Sequence, residues 1–287
     1  MRIADLFRQK RPTLSFEVFP PKADVPVDTV YETLAKLSGL SPDYISVTYG
    51  AGGSNSSRMI EIASAVQNTF KQCALAHFTC VGASPVSVDV QLEAIKNAGI
   101  ENILALRGDI PAGMERRDAF VHFRHASDLV EYIARKDGFC IGVAVYPEIH
   151  YESENRRSDI TFLKKKVDAG ADFMVTQMFF DNRAFFEFRE IIAKAGIRLP
   201  LVTGIMPVLD ASQILRMTRM SGCSIPAGLS RLFARYANDP EGLREVGLDY
   251  ACEQVSELVK EGVDGIHLYS MNKWEATTHI VQACGLR

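Results

Sequence analysis

Short apolar runs rich in β-branched and aromatic residues recur along the chain, at 14–19, 44–49, 74–79, 102–107, 140–146, 172–177, 200–206 and 265–269. Each has the length of a buried strand. Between them the period changes. In VDTVYETLAKLSGL, Val30, Leu34 and Leu37 fall on one helical face. VSVDVQLEAIKNAG closes on Asn-Ala-Gly, a helix stop. SDITFLKKKVDAG opens on Ser158 as a cap and closes on Gly170. Strands alternating with helices predict parallel strands joined by βαβ crossovers. Eight of them predict a closed (β/α)₈ TIM barrel, a single domain over 1–287. An open doubly wound sheet is the rival, but no G-x-G-x-x-G follows the first strand. The stretch 207–264 holds more helix than one crossover needs, and PEGLREVGLDYACEQVSELVKEG reads as a long helix decorating the barrel.

One polar side chain stands at or near the C-terminal end of each of the first six strands: Glu17, Thr48, His77, Arg107, Tyr146 and Gln177. Alternation puts them on the faces of Ser15, Ser46, Leu75, Ala105, Ala144 and Val175, with mostly large apolar residues opposite. In a barrel this set points inward and upward, toward the end where barrel active sites sit. Glu17 is the only acid of its strand, in LSFEVFPPK, and Pro20 and Pro21 end that strand. An unpartnered buried charge is costly. Glu17 is therefore a solvated edge group, half of an ion pair with Arg107 or Lys22, or a general acid whose pKa burial raises.

ALRGDIPAG adds two candidates, Gly108 and Asp109, beside Arg107. Gly108 lets backbone approach a ligand, the Arg107 guanidinium suits phosphate, and Asp109 suits a heterocycle's N–H or amino edge. The alternative is a turn held by an Arg107–Asp109 pair. YPEIHYE offers Tyr146, Glu148 and His150 for stacking and hydrogen bonding to an aromatic cofactor; their spacing matches no strong metal motif. Lys164, Lys165 and Lys166 read as a solvated helix face from which one member reaches an anionic ligand. Gln177 can pair with a heterocycle edge, and at least one of Phe179 and Phe180 belongs to the core.

Bulk properties narrow the function classes. A net charge of −3 gives no basis for a nucleic-acid or anionic-membrane partner. No apolar stretch is long enough to span a bilayer, and MRIADLFRQKRP lacks the apolar core of a signal peptide. The expected location is the cytoplasm. The six cysteines are scattered with no C-x-x-C pair, which favours reduced structural thiols over a zinc or iron–sulfur site.

SFEVFPPK, YISVTYGAGG, AHFTC, ALRGDIP, VAVYPEIH, LKKKVDAGADFMVTQMFFD, GIMPV, SIP and GIHLYSMNK occur in this order. As an ordered set they resemble the bacterial methylenetetrahydrofolate reductases from end to end. The resemblance implies a FAD-containing barrel that reduces 5,10-methylenetetrahydrofolate to 5-methyltetrahydrofolate by a ping-pong route. NADH or NADPH reduces the flavin and leaves, and folate takes its place. Glu17 matches the acid that protonates the bridged folate, and Asp109 the acid beside the flavin that holds the pterin. Thr48, Tyr49, Ala51, His77, Arg107, Gly108, Ala126, Tyr146, His150, Asp159 and Lys166 match flavin-site positions, Thr48 also lying near the nicotinamide. Gln177, Gln213 and Lys273 match folate-side positions.

Two departures stand out. Ala126 follows His125 where the family often has Tyr-Ala. Met217 stands where well-known members carry a Phe that packs on nicotinamide and on the folate aminobenzoate, and Met cannot stack as a ring does. Some relatives of this short type receive electrons from a partner protein, which is the second reading. A cofactor-free barrel aldolase or lyase is the third, but no predicted strand presents an inward Lys for a Schiff base. The chain has no counterpart of the eukaryotic C-terminal regulatory domain, so that control is not expected. Barrel flavin enzymes commonly associate, so a homo-oligomer is expected.

Overall fold

A computed structural model describes residues 1–287 apart from 10, 23, 50–55, 112 and 137. Eight parallel strands run β1 Thr13–Val18, β2 Tyr44–Val47, β3 Ala74–Thr79, β4 Asn102–Leu106, β5 Cys140–Val145, β6 Phe173–Thr176, β7 Leu201–Ile205 and β8 Gly265–Tyr269. They close in chain order, with β8 pairing back to β1 through Ser15 opposite His267 and Glu17 opposite Tyr269. The predicted (β/α)₈ barrel is the observed fold.

The helices are α1 Ile3–Gln9, α2 Thr29–Ser38, α3 Ser56–Ser64, α4 Pro85–Asn97, α5 Arg116–Ala119, α6 Ala126–Ala134, α7 Arg156–Asp168, α8 Asn182–Lys194, α9 Ala211–Ser221, α10 Ala227–Arg235, α11 Pro240–Lys260 and α12 Trp274–Ala283. The surplus helix predicted before the last strand is α9, α10 and the long α11. Val30, Leu34 and Leu37 of α2 are fully buried against the sheet, as their spacing requires. The start of α7 differs from expectation. Asn155 is its cap, accepting from the Ser158 amide at 3.0 Å, while Ser158 sits at the third helical position and its hydroxyl accepts from the Asn155 amide. Both residue types can cap, and the two-sided bond moves the helix start upstream.

Side chains divide cleanly between two layers. Ile45, Val47, Ile103, Ala105, Ile141, Val143, Ile266 and Leu268 face outward, into the layer shared with the helices. Tyr44, Leu75, Leu104, Cys140, Phe173, Val175 and Val202 face inward. Helix α1 closes the lower end of the barrel: Ile3, Leu6 and Phe7 join that inner cluster, Phe7 lies 5.8 Å from Phe173, and the Ile3 amide donates to Asn102 Oδ1 at 2.8 Å. Burying a side chain such as Phe173 contributes about 2–3 kcal/mol. The amphipathic N-terminus is thus a plug, and the upper end is left for chemistry.

Inward alternation holds for Ser15 and Glu17, Ser46, Leu75 and His77, and Val175. It fails for Arg107. Ala105 belongs to the outer layer, and Leu104 and Leu106 face in. The strand ends at Leu106 and the chain turns at Gly108, with φ +84°, so Arg107 leaves the pleat and its side chain reaches along the rim. All six cysteines are free thiols. Among the described residues no helix is long and apolar enough to cross a membrane.

Candidate active site

The upper interior centres on Glu17. Its residue is 9% exposed, and Oε2 lies 3.5 Å from His77 Nε2 and 3.5 Å from His267 Nε2. Of the three origins considered for this carboxylate, the ion pair with Arg107 or Lys22 is not what forms; two imidazoles take that place. Strand pairing produces the arrangement, because Glu17 and Ser15 share a face of β1 while His267 sits opposite Ser15 on β8. Burial holds His77 down at about 4, against the opposing pull of Glu17, so the ring is neutral. Its Nε2 is buried without a hydrogen-bond partner.

At the ends of β4, β5 and β6 opens a cavity of about 360 Å³, lined by Arg107, Gly108, Asp109, Tyr146, Gln177 and Met217 among others; Glu17, His77 and His267 do not line it. Gly108 needs its missing side chain here, since a Cβ would lie 2.7 Å from Val81 and 2.9 Å from Thr79. Burial pushes the Tyr146 hydroxyl up to about 12, Asp109 adds to the rise, and the Gln177 side chain opposes it. His150 packs edge-on to Tyr146 at 4.6 Å and stacks on Tyr151 at 4.7 Å; burial and then Arg107 lower its pKa.

A second cavity, of about 450 Å³, adjoins the first and shares Arg107, Ala126, Tyr146, His150 and Lys166 with it. Two arginines meet one acid at its edge. Arg107 forks onto both Glu152 carboxylate oxygens, and Arg116 reaches them at 3.2 and 3.3 Å. Arg107, then Arg116, hold Glu152 at about 2 against the opposing effect of burial. The floor is Lys166 of α7, whose ammonium donates to the Ala144 carbonyl at 2.5 Å. Desolvation lowers it to about 8, and Asp159 opposes the fall. Lys166 is thus the member of the lysine triplet that turns inward; Lys164 pairs with Asp168 at the surface. Ala126 and Ser127 bring the N-terminus of α6, an anion-favouring helix end, to the same cavity.

Other expected residues sit apart. Tyr49 turns outward: its ring packs in the outer layer and its hydroxyl meets Gln91 Oε1 at 2.7 Å. Thr48 follows β2, its amide donating to the Val18 carbonyl. Gln213 on α9 and Lys273 before α12 do not line either cavity. Ala51 lies outside the described residues. Phe179 and Phe180 are both buried. Glu148, in the loop after β5, accepts from the Ser224 amide at 3.0 Å. The Arg107–Asp109 turn pair is replaced by Arg107–Glu152. Among the described residues no group of three or more His, Cys, Asp and Glu could hold a metal ion.

Three participants, His267, Glu152 and Arg116, are not singled out by the sequence. His267 had a signal, a histidine alternating with Tyr269 in GIHLY. Glu152 had none, because it reaches Arg107 across a loop 45 residues downstream.

Solved structures agree on the fold. An uncharacterized protein from Clostridium thermocellum, described as binding two copies of 5-methyl-5,6,7,8-tetrahydrofolic acid, superposes with a TM-score of 0.69 at 12% identity, over 100% of this chain and 99% of that one. A dihydropteroate synthase from Coxiella burnetii gives 0.53 at 13% identity, over 96% and 93%. Sequence similarity is closer. The 5,10-methylenetetrahydrofolate reductase of Escherichia coli is 35% identical over 96% of this chain and 91% of its own length. The Arabidopsis thaliana methylenetetrahydrofolate reductase (NADH) 1 is 36% identical over 99% of this chain and 50% of its own. The chain spans about half the length of that plant relative and of a Schizosaccharomyces pombe one. Residues 2–285 match the family profile described as methylenetetrahydrofolate reductase. With a profile match over residues 2–285 and a 35% identical relative matched over 91% of its own length, the chain belongs to the methylenetetrahydrofolate reductase family.

Proposed function

We propose that the protein reduces 5,10-methylenetetrahydrofolate to 5-methyltetrahydrofolate with FAD as its resident cofactor and NAD(P)H as electron source. The observation that carries this reading is Glu17, one nearly buried carboxylate held between two histidines at the upper end of β1. A group so placed can hold a proton for a substrate and stay out of bulk water.

The residues fit a flavin dinucleotide. The donor set is cationic, with Arg107, Arg116 and Lys166 lining the cavities. The two adjoining cavities provide an elongated volume. Arg107, Arg116, Lys166 and the start of α6 would take the diphosphate end, and Tyr146 and His150 the ring system. When bound, FAD supplies storage of a hydride between the two half-reactions. The protein's own residues do the rest. Asp109 and Gln177 orient the pterin by its amino and N–H edges. Glu17 gives its proton to the bridged folate nitrogen, the C–N bond of the five-membered ring breaks, and the exposed carbon becomes able to accept hydride.

The test is a separation of half-reactions. FAD-loaded Glu17→Gln should be reduced by NADH or NADPH but fail to be reoxidised by methylenetetrahydrofolate. Loss of both half-reactions together would count against the assigned role.

One observation favours a second source of electrons. The mouth has an apolar rim: Met220 is 65% exposed and Tyr151 53%, and both line the cavity. On this reading a partner protein docks there and delivers electrons. Anaerobic titration separates the two. Flavin bleached by NADH or NADPH supports the first reading, and flavin bleached only by dithionite supports the second.

A further inference from the structure

Two thiols meet on the outer helical layer. In a (β/α)₈ barrel the helices run back down, so the last residues of α12 lie at the lower end, and Arg287 there donates to the Ser41 carbonyl at 2.9 Å. Cys284 caps that helix, its amide donating to the Ile280 carbonyl at 3.0 Å. Helix α11 packs alongside, and Val255, Leu258, Ile280 and Val281 of the two helices share one buried layer. At the edge of this seam Cys284 meets Cys252, 32 residues earlier in the chain. The Cys284 thiol donates to the Cys252 carbonyl oxygen at 3.5 Å, and the two thiols lie in hydrogen-bonding contact. Ser256, one turn on from Cys252, donates its hydroxyl to Cys284 Sγ at 3.7 Å. Both cysteines are half-buried free thiols, and neither lines a cavity of the mouth.

The other four cysteines are placed differently. Cys80 and Cys140 are buried, Cys73 Sγ accepts from Asn102 at 3.3 Å, and Cys223 Sγ lies 3.4 Å from Glu148 Oε1. We propose that Cys252 and Cys284 are an oxidation site: a low-molecular-weight disulfide such as oxidised glutathione converts them to one disulfide that staples α12 to α11. The loop so closed contains all of β8, the strand that brings His267 to Glu17. Oxidation therefore secures the last strand and helix of the barrel from the outside, with no bond made in the site itself.

The exchange balances as two displacements. Cys284, as thiolate, attacks one sulfur of the oxidant; that S–S bond breaks, a mixed disulfide forms and one glutathione thiolate leaves. Cys252 then attacks Cys284 Sγ, the protein S–S bond forms and the second glutathione thiolate leaves. The protein gives up two electrons, the oxidant is reduced to two thiols, and the two protons lost by the cysteines end on those thiolates. The order follows from the surroundings. Burial, then Cys284, raise the pKa of the Cys252 thiol, so it keeps its proton until the mixed disulfide stands beside it. Cys284 Sγ already accepts from the Ser256 hydroxyl, a contact that strengthens when the sulfur is charged. Excess thiol reverses both steps, so the redox state of the medium sets the staple.

The test uses the whole chain as purified, incubated with excess dithiothreitol or with excess oxidised glutathione. Thiols are counted after denaturation, disulfide-linked peptides are mapped by mass spectrometry, and Tm is read by calorimetry in each state. Oxidation should remove two of the six thiols, join the peptides of Cys252 and Cys284, and raise Tm by about 3–6 °C, because the bridge restricts the unfolded chain. Dithiothreitol should restore both thiols and the lower Tm. Cys252→Ser should stop at a mixed disulfide on Cys284 with no rise in Tm, and Cys284→Ser should keep all its thiols. If either variant fails to fold, the peptide map and Tm of the wild type carry the test. Six thiols retained, a bridge joining other cysteines, a mixed disulfide that persists in the wild type, or a bridge that leaves Tm unchanged would each overturn the proposal.

Discussion

Arg107 and Glu152 face each other as a fork on a carboxylate, and Arg116 closes on the same oxygens from the far side. One acid thus neutralises two guanidiniums at the edge of the outer cavity. An incoming diphosphate must compete with it. Glu152→Gln should leave both arginines free for the ligand and tighten ADP binding by about three- to fivefold, the size expected of a partly exposed ion pair. Titration calorimetry on the flavin-free protein measures this directly.

The same pair carries a pH signature. Glu152 is held at about 2 in the folded chain against an ordinary 4.5, chiefly by its bonds to Arg107. A depressed carboxyl adds stability that is complete above the ordinary value and is lost as pH falls through the folded one. Wild type should therefore lose more stability than Glu152→Gln between about pH 4.5 and 2, seen as converging acid-unfolding curves.

Much of this architecture was legible beforehand, because the barrel rests on periodicity. LSFEVF alternates on two faces, and the observed strand, Thr13–Val18, puts Glu17 where alternation says. The lesson reverses just past a strand end. Counting from Ala105 gives Arg107 the inward face, but the pleat stops at Leu106 and Gly108 redirects the chain. A two-residue period carries no information once the backbone leaves β geometry. Partners across loops were equally hidden. Nothing local to YPEIHYE says that its second acid, Glu152, will meet Arg107. His267 was visible as a histidine inside a strand, but its meaning depends on the closure of β8 onto β1, which places it opposite Ser15.

Gly204 offers a test of how tightly the upper barrel is packed. A Cβ there would lie 2.4 Å from the Thr176 carbonyl oxygen and 2.6 Å from the Tyr269 hydroxyl, which themselves bond at 2.8 Å. Gly204→Ala should break that bond and force Tyr269 away from His267. We expect a loss of about 2 kcal/mol, a Tm drop of roughly 3 °C by calorimetry.

Lys166 predicts a pH dependence of opposite sign. Its ammonium is lowered to about 8 by desolvation, so it carries its charge at neutral pH and loses it a little above. Affinity of the flavin-free protein for ADP should fall by about three- to tenfold as pH rises from 7 to 9. Lys166→Gln should bind weakly throughout and show a flat profile over that range. A wild-type profile that is also flat would place the lysine outside the binding surface.

Met217 lines the mouth cavity beside Gln177 and packs on the apolar cluster of Met178, Met206 and Ile214. A thioether there fills space but offers no ring face to a nicotinamide or an aminobenzoate. Met217→Phe restores one at nearly constant volume, so the fold should tolerate it. An aromatic pair adds about 0.5–1.5 kcal/mol beyond area burial. If free NADH or NADPH is the donor, the substitution should lower its KM by roughly three- to tenfold and leave the maximal rate of flavin reduction within about twofold. If a partner protein is the donor, neither nucleotide will bleach the flavin in wild type, and the added ring will not create the activity by itself. Stopped-flow reduction of wild type and Met217→Phe with each nucleotide distinguishes the two, because a change confined to KM reads stacking while absence in both proteins reads a different route for electrons.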